Sequence, residues 1–427
     1  MQLPAVPGVL APSLLAIPVA FSINGATALA ESPLVLMLVV VLVLAILFSI
    51  ILFLSGVSHF QDPLFCVFVL LSFTSVVDLI ISLEEDGFIS GFVEVYVREG
   101  EPYLRTAHGI MICYWDGIIH YGLYLAMVAA IGRRKSCRNL GLFWLGSLMM
   151  SIVVFLLGNL IGKFSSDLSP AFLLNLPYLL IPAWAGVRLF QLPRALPCLS
   201  PEKVAEEQRK RLYQRPQDVG LILVLLLTIA FTFFRGMVSA ESLHGGPGGC
   251  ARVTPLCSLH PQVVLDCPAD SCFEYIYQHE PYLRDPVAYP KVQVSGTEAG
   301  PKPLSAAGDG VTLSVPPRQM LIYMFYVLPF FCLCIYGLVL PGCSWLPDWS
   351  LVFAGAVAQA QFSHVGSSLH ARTPFPYQTP EDVCWLFLLT NVLYALGPQL
   401  LAFRCLHRPA FFLPAAPASP QAGKKHQ

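Results

Sequence analysis

Apolar residues run through this chain in long blocks with short polar interruptions. Ten stretches of about 17–25 residues carry almost no charge: 9–29, 34–56, 63–83, 110–132, 140–162, 171–190, 218–238, 319–341, 347–366 and 384–404. Each is long enough to cross a bilayer core as a helix. The pattern predicts an all-α, polytopic helical membrane protein with about ten transmembrane helices. Two stretches are weaker than the rest, the first because it holds Pro12 and Pro18, the ninth because it holds Gln359 and Gln361.

The polar interruptions set the orientation. Arg133, Arg134, Lys135 and Arg138 crowd the connection 133–139, and Arg194, Lys203, Arg209, Lys210, Arg211 and Arg215 crowd 191–217. Short loops rich in Lys and Arg stay cytosolic. The connections 84–109 and 239–318 then face the lumen, and both termini are cytosolic. A rival reading of the start takes Ala28-Leu29-Ala30 as a signal-peptidase site, although no positive region precedes it. It leaves the other nine helices oriented as before.

Composition agrees with the blocks: 427 residues are 56% hydrophobic and 12% charged, with a mean hydropathy of +0.65. A net charge of −1 without a basic, aromatic-interleaved stripe excludes nucleic acid as a partner. The thirteen cysteines are scattered, with no Cys-x-x-Cys pair and no His-x-x-x-His pair, so neither a metal nor a cofactor is expected.

The chain also repeats itself. Glu-Pro-Tyr-Leu-Arg stands at 101–105 and again at 280–284, and an Asn-x-x-Tyr-x-x-x-Pro signature follows each, at Asn175, Tyr178, Pro182 and at Asn391, Tyr394, Pro398. Two different matches in one order point to duplication. Four helices per copy bring both in from the same side, giving a parallel repeat. The expected divisions are two N-terminal helices (1–60), a first four-helix unit (61–190) and a basic linker (191–216). A second unit (217–406) with a long lumenal insert (239–318) and a cytosolic tail (407–427) follow.

In the insert, Cys267 and Cys272 either close a small disulfide loop in an oxidising lumen or stay as two free thiols. No Asn-x-Ser/Thr sequon is present. At the far end, Lys424 and Lys425 match a di-lysine retrieval signal read by coat machinery, which predicts residence in the endoplasmic reticulum with cycling through the early Golgi.

Ionisable groups at membrane depth are functional candidates because insertion costs about 2.5–3.5 kcal/mol each. Asp78 and Asp116 qualify, with His120 one helical turn after Asp116. With Asn175 they are expected to form one polar layer below the lumenal surface, floored by Tyr114, Trp115 and Tyr178. Two readings compete: a ligand-lining layer, or interhelical hydrogen bonds of about 0.6 kcal/mol each that only hold the helices together. The second unit has no matching acid pair; Thr232, Arg235, Gln359, Gln361, His364, Asn391 and Tyr394 supply its polarity.

Phe73-Thr-Ser-Val-Val-Asp78, Gly100-Glu-Pro-Tyr-Leu-Arg-Thr-Ala-His108, Cys113-Tyr-Trp-Asp116, Cys343-Ser-Trp-Leu-Pro-Asp-Trp349 and Tyr394-Ala-Leu-Gly-Pro398 resemble the transmembrane 6 superfamily over nearly the whole chain. That family's units resemble in turn the four-helix EXPERA fold of emopamil-binding protein, a sterol isomerase, and of the sigma-2 receptor. The resemblance implies two EXPERA-like repeats and a regulator of lipid metabolism in the endoplasmic reticulum and the intermediate compartment towards the Golgi. It further implies roles in triglyceride handling, lipid droplets and lipoprotein lipidation and secretion, with membrane lipids or sterol and proteins of lipid metabolism or the secretory pathway as partners. The isomerase uses a His-x-x-x-Glu pair, a second acid and an asparagine. Carried over, these fall on Thr74 and Asp78, on Asp116 and on Asn175; in the second unit the pair falls on Thr232 and Gly236. The histidine is replaced in both copies, which argues against isomerisation. The low-complexity pieces 240–262 and 294–318 depart from the family's shorter loop, and 294–318 also reads as translated intron. The first expectation is thus a lipid-binding regulator that is not an enzyme; double-bond isomerisation on Asp78 and Asp116 is the alternative, and lipid transport the third.

Overall fold

A computed structural model describes residues 11–26, 32–57, 62–161, 170–194, 199–241, 278–284, 292–294, 313–315 and 323–414. Cys267, Cys272, Lys424 and Lys425 lie outside the described residues. The fold is all-α. Helices α1 (Ala16–Gly25) and α2 (Pro33–Val57) precede α3 (Pro63–Glu85), α4 (Ala107–Trp115), α5 (Tyr121–Gly132), α6 (Arg138–Ile161) and α7 (Leu176–Gln191). Helix α8 (Pro201–Arg209) leads to α9 (Pro216–Glu241), α10 (Leu328–Val339), α11 (Leu346–Leu369) and α12 (Cys384–His407). Among the described residues, the one departure is a short antiparallel ribbon in the insert, β1 (Val292–Val294) with β2 (Leu313–Val315), in the register Val292↔Val315.

Helix is found within each of the ten apolar stretches. Among the described residues, six helical segments are both long and apolar enough to cross a membrane: Pro33–Phe53, Pro63–Glu85, Arg138–Leu160, Phe172–Gln191, Pro216–Arg235 and Cys384–His407. The others fall short for visible reasons. Helices α4 and α5 form one rod broken by a π-helical turn at Asp116–His120. Helix α11 is diluted by Ser350, Gln359, Gln361, Ser363, His364, Ser367 and Ser368, all buried inside the protein rather than facing lipid. Ala11–Gly25 and Phe325–Val339 are shorter.

Local chemistry fixes the ends. The Asp62 carboxylate accepts the Leu64 N–H at 3.0 Å, with Pro63 in the first turn of α3. Thr106 Oγ1 caps α4 by accepting from Gly109 N at 3.0 Å. Between them, the Glu84 carboxylate gathers the backbone N–H groups of Gly91 (2.8 Å), Phe92 (3.0 Å) and Val93 (2.8 Å), folding the connection back over the helix ends. Gly91 makes that turn at φ +86°, where a side chain would be strained.

Helices α6 and α11 pack against each other along the centre. The contacts climb together, from Arg138–Asp348 through Gly146–Val352 and Ser147–Gly355 to Ser151–Gln359, so the two helices run parallel. A Cβ on Gly146 would sit 1.7 Å from the Val352 carbonyl oxygen, and one on Gly355 1.9 Å from that of Phe143. Small residues here let the backbones meet, the usual basis of helix association in lipid. Both ends of this seam are charged. At one end Asp348 is held by Arg138 and Arg194; at the other Asp86 meets His370 at 2.9 Å and Glu85 meets Arg372 at 2.8 Å. On either side lies an aromatic core: Phe68, Tyr124 and Trp144 in the first half, Phe331, Phe353 and Tyr394 in the second.

Candidate functional site

The first half holds a partly open cavity of about 160 Å³. Its walls are mostly aliphatic and aromatic, with α1 and α2 contributing Val19, Ala20, Val40 and Val43 and α6 contributing Ile152 and Phe155. Its polar groups include Thr74 and Asp78 from α3, Asp116 from the π turn, Asn175 and Tyr178 from the start of α7, and Tyr96 and Glu101 from the connection before α4, with Asn24 of α1 and Ser151 of α6 on the same wall. Three carboxylates thus converge in an otherwise apolar chamber, the arrangement of a pocket that fixes an amphiphile by a few polar contacts.

Two features aim these groups. The π turn packs Gly117 against Leu79 so closely that a Cβ would stand 2.6 Å from that of Leu79, and it turns Asp116 into the cavity. Such turns are over-represented at functional positions. Helix α7 begins after a 3₁₀ turn, Pro170–Asn175, which leaves Asn175 at its head. There Asn175 Nδ2 donates to Glu101 Oε1 and to the Phe172 carbonyl (3.2 Å), while Tyr178 is hydrogen-bonded to Thr74 and Tyr96 to Glu101. Glu101 lies outside the spanning helices. Burial pushes its carboxyl up to about 7, against the lowering by the Asn175 and Tyr96 bonds.

His120 stands behind Asp116 rather than in the cavity. Its Nδ1 lies 2.6 Å from Asp116 Oδ1, an approach off the N–H axis, and its Nε2 is 2.8 Å from Ser147 Oγ, which also accepts from Trp115 Nε1 at 2.7 Å. The order serine, histidine, aspartate has the outline of a nucleophilic relay. Ser147 and His120 are 0% exposed, however, and the Ser147 hydroxyl is taken up by Trp115 and His120. A substrate in the cavity meets Asp116 alone, so the chain behind it holds that carboxylate in place. Of the expected floor, Tyr178 lines the cavity, Trp115 joins this chain, and Tyr114 turns away to donate to Asp86 Oδ2 at 2.7 Å.

The second half assembles the same residue types around a different centre. Thr232 and Tyr394 hydroxyls meet at 2.9 Å, as Thr74 and Tyr178 do. Glu280, the first residue of the second pentapeptide, is fully buried and pairs with Arg235, whose Nη2 also donates to Asn391 Oδ1 at 2.9 Å. The guanidinium lies 4.4 Å from the Phe231 ring centroid and 5.7 Å from that of Tyr394. With Thr232 set against Thr74, Arg235 matches Val77, so an arginine enters the group that surrounds open space in the first half. Gln359 is in neither group; it sits on the seam, donating to Ser363 Oγ at 3.0 Å and Ser151 Oγ at 3.4 Å.

The structure therefore brings Asp78, Asp116, Asn175 and Tyr178 together, sets His120 behind them, and places Asn391 and Tyr394 around Arg235. Glu101, Tyr96 and Glu280 were not among the expected site residues. The signal for the two glutamates was present, since each opens a copy of the repeated pentapeptide.

Residues 15–200 match the family model described as transmembrane 6 superfamily member 2-like, transmembrane domain, and residues 314–405 match the EXPERA (expanded EBP superfamily) model. Transmembrane 6 superfamily member 2 of Mus musculus is 52% identical over 429 residues, covering 100% of both chains. The Homo sapiens protein of that name is 52% identical over 428 residues, again covering 100% of both. No solved structure matches. The chain belongs to the transmembrane 6 superfamily, as a multi-pass membrane protein of the member 2-like kind.

Proposed function

We propose that this protein is a regulator of lipid metabolism in the endoplasmic reticulum membrane and the intermediate compartment towards the Golgi, and that it works by binding a membrane lipid or sterol in the first-half cavity. The observation that carries this reading is the difference between the halves. One constellation of glutamate, asparagine, tyrosine and threonine surrounds a cavity with two further carboxylates, while its counterpart surrounds Arg235. Polar groups at membrane depth are costly unless paired or used. In the second half the arginine meets that requirement internally. In the first, the head group of an amphiphile would, with its apolar body against Val19, Val40, Phe73 and Phe155.

On this reading the protein acts on triglyceride handling, lipid droplets and lipoprotein lipidation and secretion through the lipid it holds and through protein partners, and coat machinery returns it by Lys424 and Lys425. The duplicated motifs support the division into two four-helix units, 61–190 and 217–406. Thr74, standing where the sterol isomerase has its histidine, supports binding over double-bond isomerisation on Asp78 and Asp116.

Lipid mass spectrometry on the purified full chain tests this. A sterol or neutral lipid should co-purify with the parent and be lost from Asp78→Ala and Asp116→Ala proteins that still elute as folded species. Equal lipid content in all three would remove the cavity from the account. Conversion of an added sterol by the purified parent would replace binding with catalysis.

A further inference from the structure

A second cavity, of about 520 Å³, lies at the other end of the second half, between α8, the start of α9 and the end of α12. We propose that it binds a phosphate group. Five cationic side chains line it, Lys203, Lys210, Arg215, Arg404 and Arg408, against three carboxylates, Glu206, Glu207 and Asp218, with His407 alongside. The pairing leaves positive charge over. Lys210 is matched by Glu207. Arg215 and Arg404, both buried, share the single fully buried carboxylate of Asp218, at 2.6 Å each. Glu206 also lies 4.0 Å from Lys210, and Lys203 and Arg408 make no ion pair among the described residues. The surplus of two positive charges matches a phosphate monoester dianion.

The site is also shaped before any ligand arrives. The Arg215 guanidinium is stacked 3.8 Å from the Phe411 ring centroid, and its Nε is buried with no acceptor. Arg404 is fixed by bonds to Asp218 and to the Arg408 carbonyl at 2.7 Å. Gln208 donates to the Leu413 carbonyl at 2.7 Å, strapping α8 across the segment Pro409–Phe412 to form the rim. A buried cation in excess of its counter-ions is costly, and a guanidinium held in plane meets phosphate oxygens with little further ordering. The cavity lies at the ends of membrane-crossing helices, on the side that the Lys and Arg distribution assigns to the cytosol, where phospholipid head groups and free phosphate are both present.

The test uses the purified full chain in neutral detergent and three probes: dioctanoyl phosphatidic acid, dioctanoyl phosphatidylcholine and sodium phosphate. Phosphatidic acid should bind roughly tenfold or more tightly than phosphatidylcholine, and the K203Q/R408Q protein, altered only at exposed positions, should lose most of that preference. Displacement of phosphatidic acid by sodium phosphate at matching concentrations assigns the site to free phosphate; failure to displace it assigns the site to the lipid, and both keep the phosphate site. Equal affinity for the two lipids, or a preference unchanged in K203Q/R408Q, overturns it. Because this cavity shares no residue with the first-half cavity, loss of one ligand leaves the other to be measured.

Discussion

Glu101 shows how much one residue of a repeated motif can do. It stands in the connection before α4 but reaches the cavity, where Asn175 and Tyr96 bond to it. Its carboxyl titrates near 7 rather than near the ordinary 4.5 because burial disfavours the charged form. The folded state therefore holds this proton more tightly than the unfolded chain. Its contribution to stability is complete below about 4.5 and is lost as pH rises to about 7, after which the curve is flat. Thermal midpoints of the solubilised protein should fall across that window, and Glu101→Gln should flatten that part of the profile. An unaltered slope in the variant would assign the dependence to another group. Glu280 opens the second copy of the pentapeptide with Arg235 as its partner. Removing one member of a buried ion pair costs about 3–5 kcal/mol, a loss that Arg235→Met and Arg235→Ala share, and Arg235→Ala should be the less stable of the two because it also leaves a larger cavity. Both can be compared by their thermal midpoints.

Among the elements, the π turn matters most. Five residues, Asp116–His120, interrupt a helix that would otherwise carry α4 straight into α5. Deleting Ile119, which is exposed, should restore regular helical register and swing Asp116 out of the cavity. The expected outcome is a folded protein that no longer retains lipid, read by gel filtration and lipid mass spectrometry together; full lipid retention would separate the turn from binding. The spacing of Asp116 and His120 already predicted that they share a face, and they do approach each other. It could not predict that His120 backs onto Ser147, because that contact crosses to α6. The apolar blocks made the helices legible for the same reason that lipid demands them: backbone polar groups must be satisfied within each segment. Helix α11 was the hardest to read, since its glutamines, serines and histidine face protein on nearly all sides and lower its hydropathy without being exposed.

At the scale of the whole molecule, the halves meet along α6 and α11 and are clamped at both ends. Asp348 bridges Arg138 and Arg194 at one end. Asp348→Asn leaves two guanidinium groups with no carboxylate and should cost about 3–5 kcal/mol, seen as a lower thermal midpoint or as loss of folded protein. Gly146→Val should be no milder, because its side chain would meet the Val352 carbonyl and neither backbone can move without opening the seam. The repeated motifs made the two halves visible in the sequence. Their inequality was visible only in part: the missing acid pair of the second half could be read, whereas the pairing of Arg235 needed the fold to bring residues 235, 280 and 391 together. That inequality is the centre of the account, and an experimental density map of the full chain purified from membranes tests it most directly. The account predicts ligand density between Asp78, Glu101 and Asn175, and only the Arg235 side chain between Glu280 and Asn391. A collapsed, empty first cavity, or ligand density in both halves, would contradict it.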